Sequence, residues 1–167
     1  MNNAPSLHGA LLNPRSIIFV GASADASKVS GRAFKHLVDK GYGGVLYPVH
    51  PRNDSVLGVP VHKSIAQVPG PADLGVIAVP AGDVPRFLDE LGRAGTRVVV
   101  VFSSGFGEMG DDGKRLEAEC LAVARSHGMR MLGPNSLGFV NAFDGVCPSF
   151  SQFAEGDVAP GPVAFVT

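Results

Sequence analysis

Apolar runs alternate with polar, glycine-rich breaks along most of the chain. In Ser16-Ile17-Ile18-Phe19-Val20 four apolar residues lead straight into Gly21. Val45–Val49, Asp73–Val79, Val98–Phe102 and Met129–Leu132 repeat the form. Such short runs, rich in branched side chains and stopped by turn residues, predict strands buried on both faces. Between them apolar residues recur every three or four positions. Phe34, Leu37, Val38 and Tyr42 do so, with Gly41 where a helix would stop, and Val84, Phe87, Leu88 and Leu91 follow Asp83, a candidate cap. Leu116, Cys120, Val123 and Ala124 mark a third helix, expected over residues 112–127. Gly58–Val61 reads as a short strand, with Pro60 placing it at an edge. The alternation predicts an α/β fold, a Rossmann-like open doubly wound, mostly parallel sheet with helices on both faces. Val98–Phe102, the most apolar run, is expected at its centre.

The pattern divides the chain into a polar, irregular leader (1–14), an α/β domain (15–141) and a linker (142–167). The linker closes on Pro162–Thr167, expected to be the first strand of a truncated following domain. The chain is therefore expected to be the N-terminal piece of a longer protein.

Composition narrows the function classes. A chain of 167 residues with 45% hydrophobic and 17% charged residues and a net charge of −1 is globular and carries no basic footprint for nucleic acid or an anionic membrane. No apolar run has the length of a membrane span, and the start lacks the apolar core of a signal peptide. Cys120 and Cys147 form no C-x-x-C, and the five histidines are scattered without metal-ligand spacing. A cytoplasmic protein without a metal in this domain is expected.

The candidate chemistry lies in the loops that leave strand carboxyl ends, where doubly wound sheets bind ligands. The stretch from Gly21 to Gly31 joins a strand to a helix start, where unpaired N–H groups and the helix dipole favour an anion. Gly21 permits the turn, Ala22, Ser23 and Ala24 are small, and Ser23, Ser27 and Ser30 offer hydroxyls beside Lys28 and Val29. It is neither G-x-G-x-x-G nor a Walker A loop. After the second strand an NAD site carries an acid, whereas this chain has His50-Pro51-Arg52. A guanidinium there suits a ribose phosphate, the 2′-phosphate of NADP or the 3′-phosphate of coenzyme A. Pro80, Ala81 and Gly82 follow the third long run, and Ser103, Ser104 and Gly105 the fourth. The serines lack a nucleophile-elbow spacing and a placed histidine, so they read as binding groups. Glu108 is a general-base candidate or an ordinary loop acid, and Asn135 after Gly133-Pro134 offers a fixed amide or a turn.

Gly21-Ala22-Ser23 with Lys28-Val29, Gly41-Tyr42, Tyr47-Pro48-Val49-His50-Pro51-Arg52, Asp73-Leu74 with Val76–Ala81, Ser104–Glu108 and Leu132–Gly138 occur in that order. Together they resemble the N-terminal coenzyme A-binding domain of the NDP-forming acyl-CoA synthetases, relatives of the succinyl-CoA synthetase α subunit, from about Leu12 to Asn141. The resemblance implies that the loop from Ser23 to Ser30 holds the coenzyme A phosphates and that Arg52 stands near the 3′-phosphate. It also implies that Pro80 and Ala81 border adenine or pantetheine, that Ser103, Ser104 and Gly105 line the same cleft, and that Asn135 lies towards the thiol. His50 replaces the family's usual asparagine, and Ser136 stands where many members have cysteine. The resemblance further implies a downstream ligase domain with a phosphohistidine and an ATP-grasp domain or subunit as partners. No histidine here matches the phosphohistidine motif, so this piece is expected to bind and not to catalyse. Two other readings share these residues: a coenzyme A module of a protein acetyltransferase or stand-alone binding protein, and an NADP domain of an oxidoreductase or redox sensor.

Overall fold

The computed structural model describes residues 6–162. Five parallel strands form the main sheet: β1 (Ser16–Val20), β2 (Val45–Val49), β5 (Leu74–Ile77), β6 (Val98–Val101) and β7 (Arg130–Leu132). They lie in the order β2-β1-β5-β6-β7, all in parallel register. Two further strands, β3 (Ser55–Val56) and β4 (Val59–Pro60), pair antiparallel as a separate two-stranded sheet, so the strand that carries Pro60 is an edge strand as expected, outside the main sheet. The centre is β5, with β6 beside it. The Val98–Val101 run is nevertheless buried on both faces, as its composition requires.

Alternation along β1 sends Ile17 and Phe19 to one core and Ile18 and Val20 to the other. The first core is covered by α1 (Leu7–Leu12) and α2 (Val29–Asp39), the second by α3 (Val84–Arg93) and α4 (Asp111–Ser126). The expected doubly wound fold is what forms. A row of edge-to-face aromatic contacts binds the first layer: Phe34 of α2 on Phe19 (5.4 Å between ring centroids), Phe19 near Phe102 (6.2 Å), and Phe102 on Phe150 (5.3 Å).

Local details depart from the expectations. The leader contains α1, begun by Ser6, whose hydroxyl accepts the Gly9 N–H (3.0 Å). Asp83 occupies the cap position of α3 without a side-chain cap bond, and its carboxylate lies 3.6 Å from Arg86. The segment after Asn141 is not a free linker throughout. Val146, Cys147 and Ser149 are buried, the Ser149 carbonyl lies 2.7 Å from Nδ1 of buried His36, and its hydroxyl donates to the Leu137 carbonyl (2.7 Å). A carbonyl only accepts, so His36 carries a proton on Nδ1. The strand expected at Pro162–Thr167 falls almost wholly outside the described residues.

At the amino ends of the strands Asp73 takes the Arg15 backbone N–H (2.9 Å) and side-chain Nε (3.0 Å). Burial pushes the Asp73 carboxyl up, but these bonds and the Arg15 charge outweigh it and hold it below its ordinary 3.8. A shallow cavity of about 260 Å³, lined by Arg15, Tyr42 and Asp144 among others, opens at this same end. Both cysteines are buried and unbridged, and burial pushes the Cys120 thiol up to about 11. Among the described residues no helix is long and apolar enough to cross a membrane.

Phe34 is fully buried and joins α2 to the sheet. Phe34→Ala is expected to lower the unfolding free energy by about 3–5 kcal/mol, read from the urea midpoint at unchanged m-value.

Candidate functional site

Strand order reverses at β1, which has β2 on one side and β5 on the other. The crevice of such a sheet lies there, at the carboxyl ends. Backbones pack closely at this point. A Cβ on Gly21 (φ +86°) would lie 2.4 Å from the Ala78 carbonyl oxygen, so no other residue fits without displacing the loop after β5. The Gly21 N–H also donates to Val49 (3.0 Å), which ties the loop after β1 to β2.

From Gly21 the chain makes a compact turn before α2. The Asp25 carboxylate accepts from the Ser27 N–H (3.0 Å) and hydroxyl (2.6 Å), and the Ser23 hydroxyl accepts the Asp25 N–H (3.1 Å). The Ser27 hydroxyl is thus spent inside the turn, whereas Ser23 keeps its proton for a ligand. The Ser27 bonds hold the Asp25 carboxyl below its usual range. Its position was legible as an Asp-x-Ser turn, but sequence reasoning passed over it. Gly31 sits in the first turn of α2, where a Cβ would fall 1.9 Å from the Asp25 carbonyl oxygen. The helix opens at Lys28 without a side-chain cap, leaving the N–H groups of Val29, Ser30 and Gly31 without intrahelical acceptors. Ala24, Lys28 and Val29 are exposed on this turn, and the Lys28 ammonium is 3.7 Å from Asp25, so its charge is shared.

Beyond β2 the exposed Arg52 guanidinium has no carboxylate partner among the described residues. Lys28, Arg52 and Lys63 all lie near His50. Burial first, then these three charges, lower the His50 pKa. This end of the rim is cationic.

The other loops are tied in sequence across the sheet. The Ser103 hydroxyl donates to the Val79 carbonyl (2.5 Å), so it binds loop to loop and has no proton left for a ligand. A Cβ on Gly105 would touch the Ala81 side chain at 3.2 Å, placing Pro80–Ala81 against Ser104–Gly105. The Asn135 N–H donates to the Ser103 carbonyl (2.9 Å), and Asn135 itself is left-handed (φ 54°). Glu108 accepts the Gly105 N–H (2.7 Å), which, with further backbone bonds, holds its carboxyl below the usual range. Glu117 accepts the Gly107 N–H (3.2 Å). Glu108 is therefore a loop brace and a poor general base. Phe106, fully buried, anchors the same loop from beneath.

All the expected binding residues stand on this one rim, in the spatial order Arg52, then Gly21 to Ser30, then Pro80 and Ala81, then Ser103 to Gly105, then Asn135. Four inter-strand steps put its ends about 19 Å apart. An extended ligand with phosphates at one end suits that length. Among the described residues no three His, Cys, Asp or Glu side chains converge as a metal would need.

The family model described as a CoA binding domain matches residues 15–142. The chain belongs to the CoA-binding domain family. This domain is 40% identical over 162 residues to the α subunit of acetate–CoA ligase [ADP-forming] I of Pyrococcus furiosus, covering 95% of the chain and 34% of that subunit. It is 36% identical over 159 residues to acetate–CoA ligase [ADP-forming] I of Archaeoglobus fulgidus, covering 94% of the chain and 22% of that protein. Its structure matches the dinucleotide-forming acetyl-coenzyme A synthetase 1 of Ca. Korarchaeum cryptofilum, solved with phosphate and ADP, at a TM-score of 0.82 and 37% identity over 86% of the chain and 31% of that protein. The CoA-binding domain thus spans about a third or less of these relatives' length.

Gly31→Ala is expected to push the Asp25 turn off α2 and to weaken phosphate-ligand binding at least about tenfold. Calorimetry on a variant with a native circular dichroism spectrum checks this.

Proposed function

We propose that this chain is the coenzyme A-binding part of an ADP-forming acyl-CoA synthetase. In this reading coenzyme A lies along the rim. Its phosphates sit at the α2 N-terminus between Ser23 and Ser30, its 3′-phosphate faces Arg52, its adenine or pantetheine runs past Pro80, Ala81, Ser104 and Gly105, and its thiol points towards Asn135. The observation that carries the reading is the uncapped α2 N-terminus at the strand-order reversal, flanked by Lys28, Arg52 and Lys63. The CoA-binding family match supports it.

The whole enzyme would convert an acid, coenzyme A and ATP into acyl-CoA, ADP and phosphate in the cytoplasm. A phosphohistidine of a downstream domain would pass its phosphoryl group to the carboxylate. The thiol held here would then attack the acyl phosphate and release phosphate. The histidines of this chain have other work. His36 is buried against Ser149, His127 bonds Asp89 (2.9 Å), His62 packs on Tyr47 (5.6 Å between centroids) and His50 accepts backbone N–H groups. His8 is exposed on α1.

Calorimetry with coenzyme A, dephospho-coenzyme A, NAD and NADP tests the assignment. Coenzyme A is expected to bind best, and tighter NADP binding would overturn the reading. Arg52→Ala is expected to remove most of the preference over dephospho-coenzyme A, about 1.5–3 kcal/mol for a charged hydrogen bond. In a second test the isolated chain with ATP, magnesium, coenzyme A and short acids is expected to form no acyl-CoA and to take up no labelled phosphate. Stable phosphate on any of its five histidines would contradict this.

A further inference from the structure

Both sides of the backbone that carries Arg52 are held by side chains. His50 Nδ1 accepts the N–H groups of Arg52 and Asn53, each at 3.2 Å. The Lys63 ammonium donates to the carbonyls of Arg52 (3.3 Å) and Asn53 (2.7 Å) and to Asp54 Oδ1 (2.6 Å). One residue takes the donors and the other the acceptors, so the turn is fixed without contacts from the Arg52 side chain itself.

Accepting at Nδ1 requires the lone pair there and therefore the tautomer with its proton on Nε2. A second proton can enter only at Nδ1, and an imidazolium has no acceptor left. The charged groups facing His50 are Arg52 from its own turn, Lys63 from the segment after β4 and Lys28 from the turn before α2. All three are cations, and the one acid in the turn, Asp54, is engaged by Lys63.

We propose that His50 and Lys63 are positioning residues for Arg52, and that His50 makes phosphate recognition at this loop proton-sensitive. Neutral His50 holds the turn, and imidazolium releases it. The loop mechanism stands by itself, while the ligand used to read it rests on the coenzyme A reading above. The neutral form is favoured in the folded chain, since burial and the three cations hold the pKa below 6.5. The contribution of His50 is therefore complete above about pH 6.5 and is lost as pH falls through the lowered value. The imidazolium's own attraction for phosphate is screened at a partly exposed rim, whereas loss of both backbone bonds misplaces the guanidinium.

The test compares the wild-type chain with His50→Asn, whose amide oxygen accepts N–H groups at any pH. Ring ¹⁵N NMR is expected to show the Nε2–H tautomer at pH 7.5. Amide exchange at Arg52 and Asn53, corrected for intrinsic pH dependence, is expected to lose about tenfold protection between pH 7.5 and pH 5.5 in the wild type and to stay level in His50→Asn. Over the same range the preference for coenzyme A over dephospho-coenzyme A is expected to fall about tenfold further in the wild type than in the variant, which shares the ligand's own titration. Lys63→Met is expected to lower that preference at every pH without adding slope. An Nδ1–H tautomer, or amide profiles identical in wild type and His50→Asn, would overturn the proposal. The expected amide profile without any coenzyme A binding would leave the positioning role standing and overturn the ligand reading.

Discussion

The close approach of two backbones at the end of β1 is the constraint on which the rest of the structure depends. Only a residue without Cβ fits where the chain leaves β1, because a Cβ on Gly21 would lie 2.4 Å from the Ala78 carbonyl oxygen. That contact brings the loops after β1 and β5 together at the point where strand order reverses. The neighbouring ties radiate from it. Gly21 reaches Val49 on one side, and Val79, Ser103 and Asn135 link the loops on the other. The rim is a hydrogen-bonded whole whose polar groups divide into those that build it and those that face outward.

That division explains how the proposed anion site accommodates acids. Asp25, Glu108 and Glu117 all lie in or beside the rim loops, yet each turns its oxygens onto backbone N–H groups of the loops themselves. Their charge is offset locally, and each braces a turn that would otherwise have unpaired donors. The donors at the start of α2 receive no such acceptor, and Arg52 has no acidic partner among the described residues. What remains for a ligand is positive and concentrated near β1 and β2. The β5–β7 side offers small residues and backbone.

The five strands of the main sheet, three of the helices and the shared rim were legible in the sequence because each rests on a local rule. Four apolar residues before Gly21, the periodicity of α2 to α4 and loops after strand ends all read directly. The pieces that escaped depend on partners remote in sequence. His36 and Ser149 lie 113 positions apart, and no local pattern announces that residues 146–150 close over α2. Ser103 looked like a ligand hydroxyl because its acceptor, Val79, lies in the loop after another strand. Asp83 had the residue type of a cap but not its geometry, since a 3-10 turn carries it into α3 already helical. The positional order of the candidate binding residues along the rim follows from strand order, which sequence alone left open.

In the proposed function one extended ligand occupies the carboxyl-end rim from β2 to β7. The most direct measurement is an amide NMR titration of the chain with coenzyme A, mapped onto the fold. Shifts are expected to run continuously from Arg52 through Ser23 to Gly31, Ala81 and Gly105 to Asn135, with Arg52 and Asn135 at opposite ends of a single bound molecule. Shifts confined to the far end of the sheet, at Arg15, Tyr42 and Asp144 around the other cavity, would contradict it.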